Sequence, residues 1–284
     1  MRIQAIRTPV IEIGSDLLEV FRSSYPGNLA ERSVVCVTSK VVSLEQRRVE
    51  KLSEVVLSEE ARALSPLKYS KNFERNPGLA ELILRESDRI YKGHFVYLTL
   101  KDGTFIPNAG IDLSNVPDGY AVLWPRDPFG WARQFREKLK SAYGLNEVGV
   151  LMTDSRCTPL RRGVIGLAVA YSGFEGVDSQ VGKKDLFGRE LEFTEKAVAD
   201  CLASAAVLVM GESGESTPFA VVEDAPVTFT DSEVRPGELN IDPRIDLFAG
   251  LYDSQIFDAF SKGKKHERAG YAAGPQSAED RDDR

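Results

Sequence analysis

The sequence predicts a globular chain of mixed strands and helices, on three observations. Short β-branched runs alternate with longer amphipathic stretches of helical spacing. Pro-Gly, Asp-Gly and Pro-rich signals punctuate them. Over 284 residues, 42% apolar against 28% charged residues supply a sizeable core, which excludes a disordered chain or a small disulfide scaffold.

Residues 2–6 and 33–38 read as strands, the second (Ser33-Val34-Val35-Cys36-Val37-Thr38) as a buried run. Between them Asp16-Leu17-Leu18-Glu19-Val20-Phe21 has helical spacing, ended by Pro26-Gly27. Pro77 opens a helix whose apolar face takes Leu79, Leu82, Ile83 and Ile90. The alternation from His94 to Leu100 turns at Asp102-Gly103 into Thr104-Phe105-Ile106, a hairpin that puts His94 in a strand. Trp124-Pro125-Arg126-Asp127-Pro128 leads into a helix from Phe129 to Tyr143, closed by Gly144.

The second half begins with a strand, Val148 to Met152, ending in Thr153-Asp154-Ser155, and a further apolar run covers Val164 to Tyr171. Thr194 caps a helix with the face Ala197, Val198, Cys201, Leu202, Ala205 and Leu208, stopping at Gly211. Phe219 to Val222 and Val227 to Phe229 read as strands. Ser261 to Arg284 is charged, nearly without apolar residues, and reads as a disordered tail.

Composition narrows the chemistry. The net charge of −7 argues against generic nucleic-acid or anionic-membrane binding. No window approaches a membrane span, and Met1-Arg2-Ile3-Gln4-Ala5-Ile6-Arg7 lacks an apolar leader core, so the expected compartment is the cytoplasm. Cys36, Cys157 and Cys201 are too far apart to suggest a zinc cluster, and two histidines, His94 and His266, leave little room for histidine-based catalysis. Carboxylates, hydroxyls and Lys/Arg are left to carry any reaction.

Three acidic loops suit that role. Asn108-Ala109-Gly110-Ile111-Asp112-Leu113-Ser114-Asn115 follows a strand and offers a hard oxygen at Asp112, though the same residues also build turns. Asp154 and Ser155 end a buried strand, with Arg161-Arg162 close behind. Met210-Gly211-Glu212-Ser213-Gly214-Glu215-Ser216-Thr217-Pro218 follows a helix and combines backbone N–H groups with two carboxylates; it also reads as a plain helix cap and turn. Taken together the loops point to a metal-dependent enzyme that handles phosphate.

Five segments in register resemble the coenzyme F420-0:L-glutamate ligases. They are Thr38-Ser39-Lys40-Val41-Val42-Ser43, Asn108 to Asn115, Thr153-Asp154-Ser155, Gly182-Lys183-Lys184-Asp185-Leu186-Phe187-Gly188-Arg189-Glu190-Leu191 and Met210-Gly211-Glu212, with Val198-Ala199-Asp200 between the last two. The resemblance spans residues 3–223. It implies an α+β fold with a mixed sheet and two subdomains, a catalytic domain over 1–240, a short helical extension over 241–260, and a homodimer. It further implies a ligase that uses GTP, with Mg²⁺ or Mn²⁺ (two ions) and K⁺, to join L-glutamate to the F420-0 precursor by a γ-glutamyl amide through an acyl phosphate.

Carried across, the family's ligands become Asp112 and Asp154 for one ion, with Ser155 and Glu212 at the second. Nucleotide contacts fall on Thr8, Pro9, Val10, Ile11, Ser39, Lys40 and Asn115, and on Met210, Gly211, Glu212, Ser213, Gly214, Glu215, Ser216 and Thr217. Two family cations are missing, since Leu44 and Thr158 stand where the resemblance places Lys and Arg. Arg156 is then expected to serve as a relocated catalytic cation for an anionic substrate. Two alternatives stay open: a ligase of this fold acting on another acceptor such as a folate, and a non-catalytic nucleotide- or metal-binding relative.

Overall fold

In a computed structural model the described residues are 1–64, 76–91, 93–252, 254 and 256–258. Among them the strands are β1 (Arg2–Ile6), β2 (Ser33–Thr38), β3 (Val49–Lys51), β4 (Arg89–Tyr91), β5 (Leu98–Lys101), β6 (Thr104–Pro107), β7 (Tyr120–Val122), β8 (Val148–Arg156), β9 (Ile165–Ser172), β10 (Val177–Ser179), β11 (Glu195–Ala197) and β12 (Phe219–Glu223). The α-helices are α1 (Leu17–Ser24), α2 (Ser39–Glu45), α3 (Glu59–Ala63), α4 (Gly78–Glu86), α5 (Pro128–Tyr143) and α6 (Val198–Met210).

The central sheet is mixed, in the order β1-β12-β2-β8-β9. β12 runs antiparallel to both β1 and β2, while β2 and β8 are parallel. It follows that the carboxyl ends of β1, β2 and β8 and the amino end of β12 share one edge of the sheet. In an open sheet such an edge is where loops gather to bind ligands.

Alternation along β2 decides what lies on each face. Val35 and Val37 pack with Leu17 and Phe21 of α1 and with Trp131, Phe135 and Leu139 of α5. Val34 and Cys36 face the other way, against Ala199, Leu202, Ala203 and Ala206 of α6. Burying one of the large side chains stabilises by about 1.5–3 kcal/mol. A third cluster, Leu52, Leu79, Leu82, Ile83, Tyr97, Ile111, Ala121 and Leu123, lies under α4 and the small sheets β3-β7 and β4-β5-β6. The α+β class with a mixed sheet is therefore present.

Local chemistry explains the helix ends. Asp16 Oδ1 accepts from the Leu18 N–H at 2.9 Å to start α1, and Asp127 Oδ1 accepts from Gly130 at 3.0 Å to start α5, with Pro128 in its first turn. Gly144 ends α5 in the left-handed region at φ 67°, as its place after the helix predicts.

Several expectations need correction. Helix α4 stops at Glu86, because Ser87 is extended and donates both its N–H and its hydroxyl to Ile83 O; Ile90 pairs with Thr99 in β4 and β5 instead. His94 lies in a bend outside any strand, because the β5–β6 ladder stops where Leu98 meets Pro107, which has no N–H to give. Thr194 caps nothing: Glu195–Ala197 pairs with β10, and α6 starts at Val198.

The face of α6 also differs. Ala199, Leu202, Ala203, Ala206, Val207 and Met210 are buried, while Ala197, Cys201 and Leu208 are exposed. The helix is apolar nearly all round, so spacing alone could not choose the face. The small residues win, since a Cβ on Gly166 of β9 would lie 2.4 Å from Ala203 O. Val227 to Phe229 form no strand beyond an isolated bridge between Phe229 and Phe174. Strand β8 runs on to Arg156, which places Asp154 and Ser155 inside it.

Of the helix expected over 241–260, the described residues contain a 3-10 turn, Ala249–Leu251, and helical residues 254 and 256–258. The tail expected over 261–284 lies outside the described residues. Among those described, no helix is long and apolar enough to cross a membrane.

Candidate active site

The loops gather at the shared edge of the sheet. Thr8, two residues past β1, donates its N–H to Ser216 O at 2.8 Å, and Thr38 at the end of β2 donates to Pro218 O at 3.0 Å. Asn115 Nδ2 reaches Ser213 O at 3.0 Å. Segments around residues 8, 39, 112, 154 and 213 are thus brought together from across the chain.

Two carboxylates form the centre. Asp112 follows the turn Asn108-Ala109-Gly110, whose three residues all have left-handed φ of 48°, 55° and 74°. That turn is held by Thr99 Oγ1, which accepts from Ala109 N at 2.8 Å, and by Asn108 Oδ1, which accepts from Tyr97 N at 2.9 Å. Lys40 Nζ lies 2.6 Å from Asp112 Oδ2 and donates to Ser114 Oγ at 2.7 Å. Ser114 in turn donates its N–H to Asp112 Oδ1 at 2.7 Å and its hydroxyl to Oδ2 at 3.0 Å. Burial presses the Asp112 carboxyl upward, but the Lys40 charge and these hydrogen bonds outweigh it and leave its pKa below the ordinary value.

Asp154 responds in the opposite direction. Burial pushes its carboxyl up to about 6; Arg156, the Ser155 N–H and the Ser39 hydroxyl oppose that rise, and the nearby Asp112 charge adds to it. Ser39 Oγ donates to Asp154 Oδ1 at 3.3 Å. On the neighbouring residue, Ser155 Oγ donates to Glu212 Oε1 at 2.8 Å.

The four ligands expected for two ions therefore stand as two pairs, Asp112 with Asp154 and Ser155 with Glu212. Among the described residues no three ligating side chains converge on one point. Asp112 and Asp154 nevertheless fit a hard divalent cation. They are oxygen donors whose like charges repel, one of them is desolvated, and the ammonium of Lys40 already occupies a cation's place on the other.

The loop from Met210 to Thr217 spends much of its hydrogen bonding on itself. Gly211 N caps α6 on Val207 O at 2.9 Å, Ser213 N donates to Glu215 Oε2 at 2.8 Å, and Thr217 Oγ1 donates to Met210 O. Gly211 takes φ 84°, and a Cβ there would strike Glu215. Gly214 is exposed, as are Glu212, Pro9 and Val10, while Ile11 is half-buried.

Arg156, expected as a relocated cation for an anionic substrate, is buried. It is 6% exposed, and its Nη1 donates to Thr104 Oγ1 at 2.7 Å. Alternation on β8 turns it inward, and its guanidinium lies 5.7 Å from the Trp124 ring. Arg161 and Arg162 are exposed on the following loop, and Leu44 is buried in α2. Sequence reasoning missed Thr104, Trp124 and Asp200 as neighbours of Arg156. Extending the strand four residues past Met152 puts Asp154 and Arg156 on one face.

A family model described as F420-0:Gamma-glutamyl ligase matches residues 5–224. The chain is 37% identical over 210 residues to the coenzyme F420:L-glutamate ligase of Methanopyrus kandleri, covering 73% of this chain and 80% of that one. It is 36% identical over 233 residues to the protein of that name from Methanococcus maripaludis (81% and 90%), and 37% over 215 residues to that of Archaeoglobus fulgidus (75% and 83%). The class these matches define is an enzyme of the ligase type. Within it, the chain belongs to the F420-0:gamma-glutamyl ligase family.

Proposed function

We propose that the protein joins the amine of L-glutamate to the terminal carboxylate of coenzyme F420-0, forming an amide at the expense of GTP. The observation that carries this reading is the Ser39–Lys40–Asp112–Asp154 cluster, set where four strand ends meet in a chain of this family. The acceptor carboxylate oxygen attacks the γ-phosphorus and GDP leaves. The glutamate amine then attacks the acyl carbon, loses a proton, and inorganic phosphate departs with the acyl C–O bond broken.

In this scheme Lys40 turns from Asp112 to the transferring phosphate, and the Ser39 hydroxyl orients Asp154. Thr8 to Ile11, Asn115 and the 210–217 loop enclose the nucleotide, and the exposed Arg161 and Arg162 meet anionic substrate. Asp112 and Asp154 would hold a Mg²⁺ or Mn²⁺ ion, with Ser155 and Glu212 available to a second; when bound, such an ion offsets charge on the phosphate oxygens. K⁺ is a further expected activator. The assembly we propose is a homodimer, supported by the exposed apolar loop between β10 and β11.

A second acceptor class, folates among them, is favoured by one observation. Leu44 is buried and Thr158 is uncharged, so two cations that the family resemblance places here are absent. The test is to incubate the protein with GTP, MgCl₂, L-glutamate and each acceptor. Mass spectrometry should find one glutamate residue added to F420-0, with GDP released in step. A glutamate increment on a folate and none on F420-0 selects the second acceptor. Nucleotide binding without any glutamate increment would leave only a non-catalytic relative.

A further inference from the structure

We propose that Arg156 is an internal counter-cation that positions Asp154 and makes no contact with substrate. The two residues are alternate members of β8 and so project from one face of the strand. A buried guanidinium needs compensation, because desolvating a charge is costly unless hydrogen bonds and an opposite charge offset it.

The hydrogen bonds are few. Nη1 donates to Thr104 Oγ1 at 2.7 Å and reaches Phe105 O at 3.5 Å, while Nε is buried without a partner. The guanidinium lies over Trp124, whose ring is braced by Gly110, where a Cβ would sit 2.2 Å from Trp124 Cε3. What offsets the charge is carboxylate: Asp154 and Asp200 both act on it electrostatically, without a direct hydrogen bond to either. Asp200 is anchored in the first turn of α6, accepting from Ala168 N at 2.9 Å. The β5–β6 hairpin, Trp124 and α6 thus hold one cation in place beside the desolvated carboxylate of the site.

This arrangement separates two roles that a single arginine is often given. A cation that binds substrate needs an open path to it, whereas Arg156 is walled off by Thr104, Phe105 and Trp124. Its charge still reaches the site, through Asp154. A lysine would place a compact ammonium there in place of the planar guanidinium that lies over Trp124 and donates from Nη1 to Thr104.

The inference rests on the ligase reading above, and the experiment keeps the two apart. The full-length protein would be compared with Arg156→Met, Arg156→Lys, Thr104→Val and the Arg156→Met/Thr104→Val double variant. Steady-state ligation is measured against both anionic substrates, and the electron paramagnetic resonance spectrum of bound Mn²⁺ is recorded without nucleotide. Arg156→Met should lower kcat at least tenfold, leave both KM values within twofold, and broaden the Mn²⁺ spectrum. Arg156→Lys should recover part of kcat. Thr104→Val should lower kcat a fewfold, and the double variant should be no worse than Arg156→Met.

A tenfold rise in either KM with kcat retained overturns the proposal, as does an unchanged spectrum in a folded Arg156→Met protein. So do strictly additive losses in the double variant. If Arg156→Met does not fold, Thr104→Val and Arg156→Lys decide through kcat and the spectrum. If the unaltered protein ligates nothing, the ligase reading fails, while the Mn²⁺ spectra still decide the role of Arg156.

Discussion

Lys40 Nζ stands 2.6 Å from Asp112 Oδ2, so the cation nearest the site is tied to a carboxylate rather than free for phosphate. The pair is half-exposed, and an ion pair of that kind contributes about 1 kcal/mol. A divalent cation arriving at Asp112 must displace the ammonium, and the displaced ammonium becomes available to an anion. Lys40→Met should therefore raise Mn²⁺ affinity about fivefold at low salt, the equivalent of that 1 kcal/mol, while weakening nucleotide binding. Titration calorimetry of each ligand alone checks both halves. A variant that binds Mn²⁺ no better than the parent would show that Lys40 does not compete for Asp112.

Asp154 gives a pH-dependent prediction of defined sign. Burial is the main reason its folded pKa rises to about 6. Between the unfolded value near 4 and that folded value, the native state holds a proton that the unfolded chain has released. Stability in the absence of metal should therefore fall as pH rises from about 4 to about 6. At two units and about 1.4 kcal/mol per unit, the cost at pH 7 is on the order of 3 kcal/mol. Asp154→Asn should remove that cost, raising Tm in EDTA by roughly 5 °C at pH 7 and leaving it nearly unchanged at pH 4. Ligation should be lost in the same variant. A lower Tm than the parent at pH 7 would mean that the buried carboxylate is not a liability.

The sequence made some parts of this legible and hid others for physical reasons. β2, α5 and the β5–β6 hairpin carry local signals: a β-branched run, an Asp cap followed by Pro128, an Asp-Gly turn. The face of α6 was hidden because Cys201, Leu208 and Val209 are as apolar as the residues it buries. Lys40 and Ser114 are 74 residues apart, and nothing local to either announces their contact. The burial of Arg156 is hidden because the apolar run stops at Met152, although β8 continues through the polar residues of the site. Strand pairing with β9, a long-range property, keeps those residues extended.

The turn before Asp112 is a test of how far backbone geometry serves the site. Gly110 has φ 74°, and a Cβ there would lie 2.2 Å from Trp124. Gly110→Ala would add left-handed strain to a clash with a buried ring and should destabilise by about 1–3 kcal/mol. Chemical denaturation measures this directly. The same variant should weaken Mn²⁺ binding, since the turn also carries Asp112. A stable Gly110→Ala protein with normal Mn²⁺ affinity would show that the turn and the ring adjust without cost.

The proposed homodimer makes the last prediction. The loop joining β10 and β11 exposes Leu186, Phe187 and Phe193 at 100%, 84% and 85%. Three large apolar side chains close in sequence and open to water are a liability in a monomer. Each would contribute about 1.5–3 kcal/mol if covered. In a two-fold dimer every such side chain counts twice, because the same patch is buried on both copies. Sedimentation of the unaltered protein at micromolar concentration should give twice the chain mass. Changing Leu186 and Phe187 together to Ser should shift the boundary to the single-chain mass while the circular dichroism spectrum stays the same, since neither side chain belongs to the core. If that double variant remains a dimer, another face holds the copies together, and the exposed Leu208 of α6 is the next residue to replace.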